Sequence, residues 1–436
     1  MSQLQQGTSH LNLRAQVIRT LLAVQQGQSL ASVMPLHLAK VSDRDRALYH
    51  ELVLGTLRQW YSLKSITLPL LTKSDNDETV ETCLYVGIYQ LLCTRLAPHG
   101  IISETVEALK QLGYAPLSGL VNAVLRRVSR ETSAFQDELA QTHGLPSWLF
   151  KRLKKDWGLE TLDKLCWDLQ HVAPLTLRVN QRKMSRTAYL NKLLAAGIQA
   201  RAASLSDVAI VLEQAVHVPS LPGFEEGWFS VQDEHAQLCA QLLPNLNQQS
   251  VVDACAAPGG KTAHLLEKFD LQKLVALDQD PKRLVRVSEN LERLQLNTET
   301  EVEILAADAT TWTAATPVDC IVLDAPCSAI GVMRRHPDIR LLRQSTDIAQ
   351  TVALQKEILN NMWQQVKVGG HLLYITCSIL KAENEQQMVD FFAQHADAQE
   401  IKIDADWGME QIHGRQLLPA QNQGDGFFYC LIQKTV

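Results

Sequence analysis

No two of the nine cysteines in this chain are spaced as a CxxC pair. That absence argues against a structural zinc site and gives no support to a disulfide framework. No metal is expected. Scattered single thiols suit a reducing, cytoplasmic compartment and leave a free cysteine available for chemistry. Also missing is any run approaching the roughly 18 apolar residues of a membrane span, so no membrane partner is expected. The opening segment Ser2 to His10 is polar, with neither a charged leader nor an apolar core, and no secretory signal is expected there. Internal repeats and low-complexity tracts are absent. The charge imbalance is small, a net −6 over 436 residues. A surface-wide affinity for nucleic acid is therefore excluded, while a local basic patch is not.

What is present is a composition that can build full cores, 46% hydrophobic and 20% charged, over a length that calls for two or three domains. Up to His143 the apolar residues recur at helical spacing, as in Leu13, Val17, Ile18 and Leu21, or Leu120, Val121, Val124, Leu125 and Val128. Stripes of this kind predict an all-α bundle of five or more helices over residues 1–143. This part is nearly neutral. Its basic accent is Arg126, Arg127 and Arg130 at a helix end, which could either complement the helix dipole or touch RNA.

The texture changes after Gly144. Residues 144–222 read as a small α+β module, with a strand at 175–179 and a helix from Arg186 to Ala196. Between Leu145 and Tyr189 basic residues outnumber acidic ones, among them Lys151, Lys154 and Arg178, and Trp148, Trp157 and Trp167 are interleaved. Such a mixture can neutralise phosphates and stack on bases, although each tryptophan alone could as well be a core anchor. From 223 to 436 strands alternate with helices: 250–253, 273–278, 302–305, 320–324 and 371–376, then a last, antiparallel strand at 426–433. That alternation predicts a doubly wound, mostly parallel α/β sheet.

Ligands of such sheets sit beyond the carboxyl ends of the strands. The loop Cys255-Ala256-Ala257-Pro258-Gly259-Gly260-Lys261 lies there, its glycines allowing close backbone approach and the following helix offering free N–H groups. It is not a nucleotide P-loop, because position 255 is a cysteine where that motif needs glycine, and no GxGxxG is present. Three acids follow successive strands of this region: Asp278, placed for ribose hydroxyls, Asp308, placed for an adenine amino group, and Asp324. Together they point to an adenosine-containing ligand. The strand Cys320 to Leu323 runs directly into Asp324-Ala-Pro-Cys327, presenting a carboxylate and a thiol side by side. A helix cap followed by a small buried cysteine is the alternative. Thr376-Cys377-Ser378 leaves the same sheet edge.

Asp253-Ala-Cys-Ala-Ala-Pro-Gly-Gly-Lys261, Asp324-Ala-Pro-Cys-Ser328 and Thr376-Cys-Ser378 resemble the motifs of the NOL1/NOP2/sun family of RNA cytosine-5 methyltransferases. Gly119-Leu-Val-Asn-Ala-Val-Leu-Arg126 resembles the NusB-like helical domain of the bacterial subgroup acting on 16S ribosomal RNA. The resemblance covers essentially the whole chain and is weakest from Ser185 to Ser220. It implies a NusB-like bundle, a basic α+β linker domain and a Rossmann-like catalytic domain dependent on S-adenosyl-L-methionine.

The implied roles are a nucleophile at Cys377, base recognition by Asp324, release of the product aided by Cys327, and Lys261 beside them. The loop 255–261 with Asp278, Asp308 and Asp324 would hold the cofactor. Arg334 and Arg335, just past the Asp324 loop, are expected to contact phosphates, as are Arg126, Arg127, Lys151, Lys154 and Arg178. The expected partner is 16S ribosomal RNA and the expected assembly a monomer. A transfer RNA or protein substrate, or a non-catalytic RNA-binding or antitermination factor, are the competing readings.

Overall fold

The computed structural model describes residues 11–71, 77–214, 216–296 and 299–436; the polar opening segment read from Ser2 to His10 lies outside them. The chain divides into two compact units, Met1–His171 with Met333–Gln344, and Val172–Val332 with Ser345–Val436.

The first unit is helical: α1 Leu13–Gln25, α2 Leu30–Leu38, α3 Arg46–Arg58, α4 Trp60–Thr67, α5 Glu78–Cys93, α6 Pro98–Gln111, α7 Ser118–Arg130, α8 Thr132–Ala140 and α9 Ser147–Gln170. The apolar stripes read from the sequence supply its core, with Val17, Leu21, Leu52, Leu84, Ile88 and Leu125 all buried. Local signals set the helix ends. Asn12 accepts from the Ala15 N–H to start α1, and Asp77 accepts from Thr79 to start α5. In α7 the residues Val121, Val124, Leu125 and Val128 are buried, while Arg126, Arg127 and Arg130 remain exposed.

The sequence places a boundary at Gly144, yet α9 counts with the helical unit to His171. Leu149 and Leu153 are buried before the kink at Gly158, where φ is +77°, and Leu162 and Leu165 after it, so each half of α9 has its own buried side. A second segment also joins this unit, Met333–Gln344, which includes the short helix α14 Ile339–Leu342. Ser29 gives α2 no side-chain cap, and the carboxylate of Asp338 accepts the Leu30 N–H at 2.9 Å instead. Arg58 donates to the Arg334 carbonyl at 3.1 Å. The Arg340 guanidinium donates to the carbonyls of Leu169, Met333 and Gly144 at 2.5, 3.1 and 3.3 Å.

The second unit holds two sheets. The smaller is antiparallel, in the order β2-β3-β1-β4, from β1 Leu175–Val179, β2 Ala200–Ala202, β3 Ala209–Leu212 and β4 Phe229–Val231, with α10 Arg186–Ala195 and a core of Leu177, Val179, Tyr189 and Phe229. The larger contains β5 Ser250–Ala254, β6 Lys273–Asp278, β7 Glu301–Ala306, β8 Val318–Asp324, β9 Val366–Thr376, β10 Ala398–Ile401, β11 Met409–Glu410, β12 Arg415–Leu417 and β13 Phe427–Lys434. Its order is β11-β12-β13-β9-β8-β5-β6-β7, with β10 paired to β13. β7, β6, β5, β8 and β9 are mutually parallel, and β13 runs antiparallel to β9. Helices α11 Glu234–Gln241, α12 Gly260–Lys268, α13 Pro281–Arg293, α15 Ser345–Gln365 and α16 Glu385–Gln394 complete the unit.

The chain runs outward from β5 through β6 to β7 and then returns to pair β8 with the other side of β5. The topological switch point therefore lies between β5 and β8, whose ends carry the loop 255–260 and Asp324. Clefts in open sheets form at that reversal because the connections leave the sheet in opposite directions.

Candidate active site

At the end of β5 the backbone turns sharply, with φ of +62° at Cys255 and +96° at Gly259. The loop is tied down by Ala256 N–H to the Leu277 carbonyl at 2.8 Å, by Arg283 to the Ala257 carbonyl at 2.7 Å, and by Asn290 to the Pro258 carbonyl at 2.9 Å. Gly259 is required, since a Cβ there would stand in left-handed backbone and 3.0 Å from Val287 Cα. It also gives α12 an N-cap with no side chain, so the N–H groups of the first turn have no intrahelical acceptor and face the switch point.

Asp278 ends β6, and its carboxylate accepts the N–H groups of Ala257 at 3.1 Å and Asp280 at 3.0 Å. Asp308 follows β7 and is exposed; one oxygen accepts both the N–H and the hydroxyl of Thr310, which holds its carboxyl below the usual range. An anion-receptive helix start and two carboxylates on successive strand ends fit an amino acid joined to an adenosine. Burial pushes Cys255 up to about 12, against a nucleophilic role for that thiol. Burial likewise raises Asp253 to about 7, with the Thr262 hydroxyl at 2.6 Å opposing the shift.

The next two strand ends carry two thiols and a carboxylate, and α12 brings a lysine to them. Lys261 Nζ, on the first turn of α12, donates to Asp324 Oδ2 at 2.5 Å. Burial lowers the lysine's proton affinity, but the Asp324 carboxylate, the Cys239 side chain and the hydrogen bond outweigh it, and the net direction is upward. Ala325 N–H donates to the Ile375 carbonyl at 2.9 Å, which stitches the loop after β8 to the end of β9. Cys327 Sγ then lies 3.3 Å from Cys377 Sγ. The contact with Cys377, then burial, then electrostatic interaction with Cys377 and Glu383 raise Cys327 well above an ordinary thiol. Gly331 donates its N–H to the Cys377 carbonyl at 3.0 Å, and a Cβ there would collide with that oxygen and with the Gly426 carbonyl.

Of the residues expected from sequence, the structure thus brings Lys261 onto Asp324 and Cys327 onto Cys377, with Asp278 and Asp308 on the two strand ends beyond β5. Two expected RNA contacts are corrected. Arg178, on β1, is fully buried: it forms a two-point pair with Glu267 at 2.8 and 2.7 Å and donates to Gln232 and to the Gly260 carbonyl. It fastens the small sheet to α12 and cannot reach a phosphate. Arg334 is also fully buried, because Met333–Gln344 folds into the helical unit. Arg335 is half-buried, whereas Arg126, Arg127, Lys151 and Lys154 are exposed.

The sequence reading missed Glu383, Gln355, Asn384 and the serines that follow each cysteine. Glu383 is buried and accepts from Ser328 N–H at 2.7 Å, the Ser328 and Ser378 hydroxyls, and Gln355 at 3.2 Å. The one available signal was the repeated Cys-Ser pair, Cys327-Ser328 and Cys377-Ser378.

A family model for 16S rRNA methyltransferase RsmB/F matches residues 240–433, a ferredoxin-like domain of RsmF/B-like methyltransferases matches 145–219, and the NusB family matches 11–130. Ribosomal RNA small subunit methyltransferase B of Pseudomonas putida is 45% identical over 97% of this chain and 99% of its own length. The protein of that name from Pectobacterium atrosepticum is 42% identical over 98% and 100%. The crystal structure of PH0851 shares the fold at a TM-score of 0.77, with 22% identity over 96% of this chain and 99% of its own. NSun6 from Pyrococcus horikoshii with SFG superposes at 0.59, with 21% identity over 67% and 98%.

Proposed function

This chain belongs to the RsmB/F family of 16S rRNA methyltransferases, and we propose that it methylates C5 of a cytosine in 16S ribosomal RNA through a covalent bond between Cys377 and C6 of the base. S-adenosyl-L-methionine is the cofactor, and when bound it supplies the electrophilic methyl group. The first turn of α12 and the carboxylates of Asp278 and Asp308 are the groups that would hold it. One observation carries the reading: two thiols 3.3 Å apart stand on adjacent strand ends, beside a carboxylate paired with a lysine.

Each group has a task that matches its surroundings. C5 of cytosine is too poor a nucleophile to be methylated directly, so the Cys377 sulfur adds to C6 and electron density moves through the ring. Asp324 is placed to meet the N3 edge, and the Lys261 ammonium that donates to it at 2.5 Å is the positive charge beside the negative charge growing on N3. After methylation C5 must lose its proton, and Cys327, 3.3 Å from the Cys377 sulfur, is the group proposed to take it. It does so as a thiolate once its own proton has passed to solvent, an ionisation that its surroundings shift to higher pH. The C5–H electrons then reform the ring double bond as the Cys377–C6 bond breaks. The target base must leave its stack to enter the cleft. The exposed Arg126, Arg127, Lys151 and Lys154, and the half-buried Arg335, are the cations proposed to meet the RNA backbone.

Substitution separates the two cysteines. Cys377→Ala is expected to abolish methylation and all trapping on 5-fluorocytosine RNA, whose C5 cannot release a proton. Cys327→Ala is expected to accumulate a protein–RNA adduct on ordinary RNA, visible as a denaturant-stable gel shift. The reverse pattern would exchange the roles. Bisulfite sequencing of ribosomal and transfer RNA from a deletion strain tests the substrate: loss of a methylcytosine from transfer RNA alone would overturn the ribosomal assignment.

A further inference from the structure

The two catalytic loops end in the same dipeptide, and both copies converge on one buried carboxylate. Glu383 Oε2 accepts the hydroxyls of Ser328 (2.6 Å) and Ser378, which lie 3.2 Å from each other. Its Oε1 accepts the Ser328 N–H at 2.7 Å and the Gln355 amide at 3.2 Å, and the same amide reaches the Pro326 carbonyl at 3.0 Å. The Glu383 carbonyl in turn accepts the Tyr374 hydroxyl at 2.9 Å. Next in the chain, Asn384 accepts from Thr376 at 2.5 Å and donates to the Ser378 carbonyl at 2.9 Å. Residues 328, 374, 376 and 378 therefore all bond to one Glu-Asn pair, and residue 326 joins it through the Gln355 amide.

We infer that Glu383 is a positioning residue for the methyl transfer, a clamp that holds the Cys327 and Cys377 loops at the separation the two-thiol reaction needs. The inference rests on the proposed roles of those cysteines. Ser328 and Ser378 each follow a reacting sulfur directly, so moving either hydroxyl moves its thiol. A buried ion is costly to desolvate, and apolar side chains would join two loops at lower cost. What a carboxylate adds is direction: it fixes two hydroxyls and one amide relative to each other. Its charge has a second consequence, since it adds to the Cys377 contact and burial in holding the Cys327 proton in place.

Two substitutions divide the geometric role from the charge. The Oε1 side faces two N–H donors that cannot reverse, while the Oε2 side faces two hydroxyls that can. Glu383→Gln therefore has one orientation that keeps every contact, with its oxygen toward Ser328 N–H and Gln355, but without the charge. Glu383→Ala removes the clamp.

In the full chain, Glu383→Ala is expected to bind S-adenosyl-L-methionine within about threefold of the native protein by calorimetry. Its single-turnover methylation of a 16S ribosomal RNA transcript, and its adduct formation on 5-fluorocytosine RNA, should fall on the order of 100-fold. Glu383→Gln should recover most of that rate, with the pH limb of product release displaced to lower pH because Cys327 then gives up its proton more readily.

A Glu383→Ala protein that binds cofactor and methylates at the native rate overturns the clamp. If that variant does not fold, the double substitution Ser328→Ala with Ser378→Ala decides, since it removes the two hydroxyls the carboxylate grips: methylation at the native rate overturns the clamp, and a fall in rate with cofactor binding retained supports it. Cys377→Ala is run in parallel. Adduct formation by that variant would sink the cysteine assignment, and the Glu383 result would then be scored on methylation rate alone.

Discussion

Arg178 in the catalytic unit and Arg340 in the helical unit are both buried to within 1% of full enclosure, yet they are satisfied in opposite ways. Arg178 meets a carboxylate, Glu267, through two parallel hydrogen bonds. Arg340 donates to three backbone carbonyls, and burial with the nearby Arg58 lowers it to about 9. The difference shows two uses of one side chain. Arg178 joins two elements through an ion pair, whose halves depend on each other. Arg340 serves as a hub for the backbone at three distant points, residues 144, 169 and 333, and so holds the segment that follows the catalytic loop inside the helical unit. Arg178 reads as an RNA contact from the sequence, and Arg340 lies a few residues beyond Arg334 and Arg335, which do too; buried as they are, neither Arg178 nor Arg340 is available to RNA.

Removing one half of the ion pair should have the largest effect. Arg178→Ala leaves Glu267 charged and buried, and is expected to destabilise the catalytic unit by about 3–5 kcal/mol. Denaturant unfolding with hydrogen exchange would locate the loss in α12 and β1. The double substitution Arg178→Met with Glu267→Met should recover most of it, and failure to recover would show that the pair's value is not mutual.

Arg340→Ala is expected to cost less, about 2–3 kcal/mol, because the groups it leaves behind are neutral carbonyls. The loss should appear in the helical unit, as faster exchange at the end of α9. Equal costs for the two arginines would erase the distinction drawn between them.

The smallest structural effect belongs to the exposed cations. Lys151→Ala and Lys154→Ala should each leave stability within about 0.5 kcal/mol. Each should also lower the salt dependence of RNA binding by about one phosphate contact. Filter binding across a salt series checks this. An unchanged slope would leave these lysines as a solvated helix face.

Much of this molecule could be read from local pattern. The helical stripes of the first unit, the alternation of strands and helices in the second, and the final antiparallel strand all follow from the spacing of apolar residues. The glycine-containing loop after β5 and the abrupt ends of β8 and β9 were legible because small and polar residues interrupt apolar runs there. The fate of individual cations was not. Arg126 and Arg178 carry the same charge and both read as RNA contacts, and only packing exposes the first and buries the second. Glu383 escaped notice because it lies five residues beyond Ser378 but 55 beyond Ser328, and nothing local joins it to the second serine.

The sequence by itself determined the helical stripes, the main strands of the larger sheet with their order, and the residue types at the strand ends, since periodicity and loop composition act over a few residues. The short strands β2 to β4 and β10 to β12 carry no such local pattern. Tertiary structure alone decided that Cys327 and Cys377 meet at 3.3 Å, that Lys261 takes Asp324 as its partner, and that Met333–Gln344 leaves the catalytic unit for the helical one. The physical reason is range. These contacts join residues 50 to more than 300 positions apart, and burial, which removes water as the competing partner, is what selects them.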